Sequence, residues 1–266
     1  MLKFAKVWRN STVVAVAIIA VLFIGCSEKS STPPLSPAKS EPHWSYEGAD
    51  GPANWGSLDP SFATCADGSE QTPIDIVNPV PSDLPDPVFA YVPSGAAIVN
   101  NGHTIQADAS PGSSMNVGGK PYSLLQLHFH APSEHTIAGN SYPAEVHFVH
   151  VANDGNLAVV GVMLSGGGAD NPAWESFVKG LTTKEGSMTS EQIDWAALYP
   201  TNHQTIRYAG SLTTPPCTEG VNWMLMTTPV QLSDAQISAF KAAYSANNRP
   251  IEPLNGRPVV IDSSTK

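Results

Sequence analysis

A run of alternating apolar and polar residues at positions 125–130 constrains the fold more than any other feature of the chain. This alternation is typical of a β-strand with one polar face, on which side chains at positions i and i+2 lie about 6.5–7 Å apart. His128 and His130 therefore point the same way. Two imidazoles at this spacing are able to bind one metal ion, because each metal–nitrogen bond is about 2.0–2.1 Å long.

Residues 145–150 form a second alternating segment, with Glu145, His147 and Val149 on one face and His150 on the other. If this strand lies beside the first, His147 supplies a third nitrogen. Three neutral imidazoles leave the fourth position of a tetrahedral zinc ion open, which is typical of catalytic zinc sites. The donor set favours zinc, but spacing alone does not exclude copper, which imidazole binds more tightly. With three cysteines in the chain, a four-cysteine structural site is excluded.

Short strands separated by turns are also predicted elsewhere in the chain. The strands are expected at residues 96–100, 123–130, 145–151, 157–163 and 222–227. A helix is predicted after Ser233, because Gln236 three residues later completes a capping box. Shorter helices are predicted at 172–181 and 190–198. These patterns predict a mainly β domain with peripheral helices, and they do not give the order of the strands.

Composition agrees with strands and excludes several classes of partner. Charged residues make up 14% of the chain, and glycine (21) and proline (24) are abundant, which disfavours a coiled coil or a charged helical bundle. The hydrophobic fraction of 41% is too high for a disordered chain. The formal net charge of -10 disfavours nucleic acid, which needs clustered basic residues. A small, neutral or weakly charged substrate suits this balance better than a polyanion.

The N-terminus has the layout of a secretory signal, with three basic residues before an apolar run at positions 12–25. The run is short for a membrane-spanning helix, which needs roughly 20 residues. It ends in Gly25-Cys26, which resembles a bacterial lipobox, although Phe23 stands where leucine is usual. Residues 1–26 are therefore predicted to direct export to the cell envelope or periplasm. Cys26 is predicted to carry a lipid as the only membrane anchor, and the alternative is a plain signal peptide cleaved nearby.

Residues 27–42 contain five serines and four prolines and are predicted to form a disordered tether, so the folded domain is expected to span residues 43–266. Two cysteines remain in that domain, Cys65 and Cys217. In an exported chain such a pair predicts a disulfide bond, and the alternative is two free buried thiols. Chain-entropy arithmetic gives an upper figure of about 5 kcal/mol for a bond that closes so long a loop.

The sequence QLHFHAPSEHT at residues 126–136 resembles the signature of the α-class carbonic anhydrases. Other family-like blocks follow the family order from about residue 43 to residue 262. They are WSY (44–46), GPANW (51–55), QTPID (71–75), NNGH (100–103), AEVH (144–147), YAGSLTTPPC (208–217) and NRP (248–250). Ala131-Pro132 replaces the Trp-Gly of many animal members, and the shorter loop that follows resembles bacterial members.

The resemblance implies a large, central, twisted and mostly antiparallel sheet with a few peripheral helices. It implies zinc-dependent, reversible hydration of CO2 to bicarbonate and a proton, in which zinc-bound hydroxide attacks CO2. The residues that match the zinc ligands are His128, His130 and His147. The groups that match the acceptors behind these imidazoles are Gln126, Glu145 and a backbone carbonyl near Asn248.

Other matches concern the substrate and the proton. Thr213 matches a threonine that accepts a hydrogen bond from the nucleophile and donates its own proton to Glu134, and Thr214 is expected to contact substrate oxygens. The residues that match an apolar CO2 pocket are Val149, Val159, Leu212, Val221 and Trp223. His103 matches a proton-shuttle histidine, and the residues that match the water-ordering positions beside it are Tyr46, Asn101 and Gln106.

The principal alternative is a non-enzymatic, carbonic-anhydrase-like zinc-binding surface protein. Known departures of that sort lose zinc-ligand histidines, whereas this chain retains all three. A zinc-scavenging or adhesion module would show histidine-rich tracts or aromatic patches, and neither is evident. A zinc protease is disfavoured because the chain has no His-Glu-x-x-His motif. The sequence leaves the oligomeric state open.

Overall fold

The structure, a computed structural model, describes residues 42–263. The predicted signal segment with Cys26, and all of the predicted tether except Pro42, lie outside the described residues, so these boundaries remain predictions. Within residues 42–263, no helix is both long enough and apolar enough to cross a membrane.

Short strands dominate the described part of the chain, as the sequence predicts. The strands are β1 (Asp75–Ile76), β2 (Val80–Ser82), β3 (Val88–Ala90), β4 (Ser94–Asn100), β5 (Ile105–Ala109), β6 (Ser114–Val117), β7 (Lys120–His130), β8 (Thr136–Ile137), β9 (Asn140–Ser141), β10 (Ala144–Ala152), β11 (Leu157–Ser165), β12 (Met188–Ile193), β13 (Thr205–Ser211), β14 (Glu219–Met226), β15 (Val230–Gln231) and β16 (Val260–Asp262). The α-helices are α1 (Trp55–Leu58), α2 (Thr64–Asp67), α3 (Glu175–Gly180) and α4 (Asp234–Ala243). Short 3-10 turns span Gly48–Asp50, Pro52–Asn54, Pro60–Phe62, Pro172–Trp174 and Trp195–Ala197.

One large sheet organises the domain. Its strands follow the order β12-β4-β5-β7-β10-β11-β14-β13-β16-β2, while β15 pairs with β11, β6 with β7 and β3 with β6. Along the main path the neighbours are antiparallel except for the pairs β11/β14 and β16/β2. A separate small sheet has the order β1-β8-β9. The predicted mainly β fold with a large, mostly antiparallel sheet is confirmed.

The pairing of β7 with β10 contains an irregularity just before the histidines. Val149 pairs with Gln126, whereas the next residue, His150, pairs with Leu124. Leu125 is therefore an extra residue of β7, which makes a β-bulge. The alternation of buried and more exposed side chains shifts by one residue at the bulge. The histidines after the bulge therefore point to the opposite face of the sheet from the one that they would face without the extra residue.

Apolar clusters occupy both faces of the sheet, because alternate residues of a strand point to opposite faces. Phe148 and Val160 belong to the larger cluster, which side chains of α3 and α4 complete. Val149 and Val159 belong to a smaller cluster on the other face. His147 shares its face with Val149, so the histidines stand on the face without these helices.

The helix predictions are confirmed at one position, refined at another and wrong at a third. Ser233 caps α4 in a capping box with Gln236, as predicted. Residues 172–181 divide into a 3-10 turn and α3. Residues 190–198 are not a helix, because Met188–Ile193 forms strand β12 at the sheet edge and the 3-10 turn Trp195–Ala197 follows. Pairing of β12 with β4 outweighs the local helical pattern.

Candidate metal centre

Three histidines converge on one face of β7 and β10. His147 lies directly opposite His128 in the antiparallel pairing, and His130 follows two residues later on β7. The ring centroid of His128 is 5.1 Å from that of His130 and 5.1 Å from that of His147. The centroids of His130 and His147 are 4.7 Å apart. One nitrogen from each ring lies within 4.8 Å of the other two, so the group is able to hold a metal ion. The spatial convergence that the alternating pattern predicts is present.

Each imidazole donates its other N–H to an oxygen that only accepts. His128 Nδ1–H donates to Gln126 Oε1 at 2.8 Å, and His147 Nε2–H donates to Glu145 Oε1 at 2.8 Å. These contacts fix the ring orientation and the tautomer. They leave His128 Nε2 and His147 Nδ1 without protons and turned toward each other.

The third acceptor corrects the sequence expectation. His130 Nδ1–H donates to the backbone carbonyl of Asn247 at 2.5 Å, not to that of Asn248. Asn247 is 1% exposed, and its side chain bonds the backbone N–H of Ala131 and the carbonyl of Phe129. Asn248 is only partly buried. The side-chain amide of Asn247 therefore fixes the position of its own backbone carbonyl. Asn247 lies in a loop, where no periodic pattern in the sequence indicates which carbonyl is the acceptor.

The unprotonated nitrogens fit a cation. His128 Nε2 and His147 Nδ1 are 3.3 Å apart, close to the roughly 3.4 Å between two ligands of a tetrahedral zinc ion with 2.0–2.1 Å bonds. His130 Nε2 is buried and makes no hydrogen bond within the described residues. Burial lowers the pKa of all three rings, that of His130 to about 4, which favours the neutral form that binds metal.

Glu145 accepts four hydrogen bonds behind the metal centre. Its Oε1 accepts from both His147 and His135 Nδ1, the latter at 2.7 Å, and its Oε2 accepts the backbone N–H groups of Glu134 and His135. Burial raises the pKa of Glu145, but the histidines and their hydrogen bonds outweigh it and hold the pKa well below its usual range. His135 Nε2 accepts from the Tyr208 hydroxyl at 2.5 Å. Sequence reasoning missed these contacts, because the position of His135 one residue after Glu134 does not identify its hydrogen-bond partners.

Glu134 lies beside the histidines and is 1% exposed. Its Oε1 accepts the backbone N–H of Arg249 at 2.8 Å, while Oε2 lies 3.4 Å from His130 Nε2. Burial raises its pKa to about 7, against lowering contributions from His147, the Arg249 N–H and the Thr213 side chain. Thr213 is 5% exposed and acts on the Glu134 carboxylate, so the predicted pair lies in a nearly dry environment.

The loop that carries Thr213 is closed by the disulfide Cys65–Cys217, as predicted, with Cα atoms 5.0 Å apart. The Cys217 N–H donates to the Thr214 carbonyl at 2.8 Å, which ties the bond to this loop. Disulfides form and persist in oxidising compartments, so the bond fits an exported protein.

The predicted apolar residues form one wall next to His147. Val149 pairs with Val159 and Val159 with Trp223 across three neighbouring strands, and the Trp223 ring lies 4.9 Å from that of His147. Val221 is 1% exposed in the same cluster, and Leu212 packs against it partly buried. The wall therefore reaches from β10 to the Thr213 loop.

His103 lies apart from the metal ligands and is partly buried. Its ring stacks on Trp44 with centroids 3.7 Å apart and planes 10° apart. Its backbone N–H donates to Asn101 Oδ1 at 3.0 Å, and its carbonyl accepts from Asn247 Nδ2 at 3.1 Å. Asn101 therefore caps the turn that carries His103. Tyr46 packs edge-on against Trp44, with centroids 5.4 Å apart.

Gln106 connects this region to the metal centre. It pairs with His128 across β5 and β7, and its amide donates to Asp108 Oδ1 at 2.6 Å. Tyr46 has a pKa raised well above its usual value by burial and by the charge of Glu134, so its hydroxyl stays protonated at neutral pH. Tyr46 and Asn101 thus lie on the His103 side of the site, and Gln106 lies beside His128.

Comparison with known proteins agrees with this geometry. The sequence model of the eukaryotic-type carbonic anhydrases matches residues 50–263. A carbonic anhydrase of Pectobacterium carotovorum is 40% identical over 247 residues, covering 91% of this chain and 97% of that protein. The solved α-carbonic anhydrase of Thermovibrio ammonificans, in complex with the inhibitor sulfanilamide, superimposes with a TM-score of 0.80 at 41% identity, covering 83% of this chain and 99% of that one. The α-carbonic anhydrase of Photobacterium profundum gives a TM-score of 0.78 at 41% identity, with 82% and 100% covered. This chain belongs to the α-carbonic anhydrase family, the zinc-dependent lyases that reversibly hydrate CO2.

Proposed function

We propose that this chain hydrates CO2 at a zinc ion held by His128 Nε2, His130 Nε2 and His147 Nδ1. The observation that carries the proposal is the convergence of three unprotonated ring nitrogens, each backed by an oxygen acceptor, beside a buried carboxylate. Zinc, when bound, supplies the Lewis acidity that makes water nucleophilic at neutral pH. The steps that follow belong to the protein's own side chains.

Thr213 orients the nucleophile. A hydroxyl has one donor hydrogen, and donation of that hydrogen to Glu134 leaves only acceptor lone pairs for the nucleophile. The Thr213 side chain lowers the pKa of Glu134, which is the effect expected of a hydroxyl that donates to the carboxylate. Glu134 is in turn held by the Arg249 N–H, so the relay is fixed before substrate arrives.

The apolar wall receives the substrate. CO2 has no net charge and loses little on leaving water, whereas bicarbonate is an anion that water solvates well. A surface of Val149, Val159, Val221 and Trp223 therefore favours entry of CO2 and release of bicarbonate. Thr214 and the Thr213 backbone N–H, on the adjoining loop, are the groups that we assign to the substrate oxygens.

His103 carries the released proton outward. It stands outside the set of metal ligands, and burial and His43 lower its pKa from the usual value of 6.5, so a proton that the ring accepts is released readily to buffer. Tyr46 beside Trp44, Asn101 at the His103 turn and Gln106 beside His128 are suited to order the water that connects the two histidines.

The predicted lipid anchor completes the proposal. Residues 12–25 end at Gly25-Cys26, and the disulfide is consistent with export, so we infer attachment to a membrane of the cell envelope through Cys26. The non-enzymatic alternative is disfavoured, since a binding protein has no use for the Glu134–Thr213 pair next to three imidazoles that each keep one nitrogen available for a metal ion.

The decisive experiment removes one ligand. His147→Ala leaves two ligand nitrogens and should abolish stoichiometric zinc in the purified protein together with CO2 hydration, measured by stopped flow. His203→Ala, at a loop histidine whose ring packs against Phe89 and Tyr199, is the matched control and should retain both. Full zinc occupancy in His147→Ala would contradict the ligand assignment. Full occupancy without hydration in the wild type would favour the binding-protein alternative.

A further inference from the structure

A loop from a different part of the chain packs onto the turn that carries His103. Three hydrogen bonds join this loop, residues 182–187, to Asn100. Gly186 N–H donates to the Asn100 carbonyl at 2.9 Å, Asn100 N–H donates to the Ser187 carbonyl at 3.2 Å, and Asn100 Nδ2 donates to the Thr183 carbonyl at 2.9 Å. The position of the loop is therefore fixed relative to the turn.

These bonds bring a carboxylate to the turn. Gly102 has φ +87°, and a Cβ built on it would lie 3.2 Å from Glu185 Oε1. The carboxylate of Glu185 thus occupies the space beside the residue that precedes His103, while the side chain remains exposed to water. No role in the metal centre or in the apolar wall accounts for it.

Two other groups act on the His103 ring. Trp44 covers one side of it by stacking, which suits a cation because the ring face of tryptophan is electron-rich. His43 acts electrostatically on His103 and lies 3.8 Å from Asp50. Among the charged groups that act on His103, Glu185 is the one whose charge favours a protonated ring.

We propose that Glu185 is a positioning residue for proton export, whose carboxylate stabilises the protonated ring of His103 in its Trp44-stacked position. The inference rests on the proposed shuttle role of His103. Burial lowers the pKa of His103, His43 lowers it further, and Glu185 raises it. Without the carboxylate, the ring becomes a weaker base and accepts the proton released at the metal centre less readily. The nearby Tyr244, whose pKa Glu185 also raises, stays neutral and does not replace that charge.

The first test measures His103 directly, by titrating the histidine signals of the zinc-loaded protein by NMR and assigning His103 with a His103→Ala variant. Glu185→Gln should lower the pKa of His103 by about 0.5 pH unit, the size expected for one charge about 6 Å away in a mostly aqueous medium. Glu185→Asp should keep most of the wild-type value, and Glu185→Lys should roughly double the decrease. Glu175→Gln, at an exposed glutamate at the start of α3, is the matched control and should change nothing.

The second test measures turnover at low buffer concentration, where Glu185→Gln should lose up to about threefold, the factor that 0.5 pH unit represents, and imidazole buffer should restore it. The loss should fade at high salt, which screens exposed charges. An unchanged His103 pKa in Glu185→Gln, or an equal change in Glu175→Gln, would overturn the proposal. If His103→Ala itself retains full turnover at low buffer concentration, the shuttle role of His103 is wrong. The NMR titration of Glu185→Gln does not depend on that role, so the two failures are distinguishable.

Discussion

His150 should make the folded protein sensitive to mild acid. The side chain is 0% exposed on the face opposite the metal centre, and the Tyr91 hydroxyl lies 2.5 Å from its Nε2. Burial lowers the pKa of His150 from 6.5 to about 4. Between these two values the unfolded chain binds a proton that the folded chain does not bind. Stability is therefore unaffected above about pH 6.5, falls as the pH decreases from 6.5 to 4, and loses nothing more to His150 below that.

The size of the effect follows from the pKa difference. One pKa unit corresponds to about 1.4 kcal/mol, so the decrease amounts to roughly 3 kcal/mol of unfolding free energy. This is a large share of the typical stability of a domain, about 5–15 kcal/mol. Acid should therefore weaken the fold through a residue with no part in catalysis.

The assay compares denaturant unfolding of the wild type and His150→Gln from pH 4 to pH 7.5. Glutamine keeps an acceptor for the Tyr91 hydroxyl and does not titrate, so the variant should lose less stability on acidification, by up to about 3 kcal/mol. The carboxylates and the metal ligands titrate in both proteins and cancel in the difference. If the two curves run parallel, His150 has an ordinary pKa in the folded state and the reasoning from burial is wrong.

Three further perturbations test the site. Glu145 accepts four N–H groups, two on each oxygen, and Glu145→Gln replaces one of these oxygens with an amide N–H that cannot accept. Zinc affinity, measured against a competing chelator, should therefore fall about 10–100-fold. An unchanged affinity would show that Glu145 does not support the metal ligands. Thr213→Ala should retain zinc and lower the CO2 hydration rate on the order of 10²-fold, and a normal rate would disprove the relay to Glu134. Reduction of Cys65–Cys217 should lower the melting temperature by calorimetry, since the bond closes a loop worth up to about 5 kcal/mol; an identical transition in reductant, with both thiols then alkylated, would contradict this.

The metal centre follows from sequence more completely than the fold does. Alternation along residues 125–130 and 145–150 is enough to place His128, His130 and His147 on strand faces, since strand geometry has a fixed period of two. The neighbouring positions of the strands do not follow from that period. They come from the pairing of β7 with β10, which the family resemblance implies and the structure supplies.

The errors fall where sequence has no period to follow. The acceptor for His130 is Asn247, one residue before the expected position, because a loop carbonyl leaves no trace in side-chain pattern. Residues 190–198 have a helical pattern, yet Met188–Ile193 pairs with β4 because sheet contacts outweigh weak local propensity. The β-bulge at Leu125 is likewise invisible in composition, although it changes which face the next residues occupy.

Arg249 explains why distant sequence blocks have to act together at this site. Its backbone N–H holds Glu134, while its guanidinium donates to the carbonyls of Cys65 and Thr72 and to Gln71 Oε1. The side chain is buried, so each of these bonds satisfies a donor that would otherwise be costly to desolvate. The same residue therefore joins the segment that contains Cys65 to the carboxylate of Glu134. Cys217 lies in the Thr213 loop and is bonded to Cys65, so the disulfide and Arg249 both link the Cys65 segment to the region of Glu134 and Thr213, and the geometry of that region depends on both links.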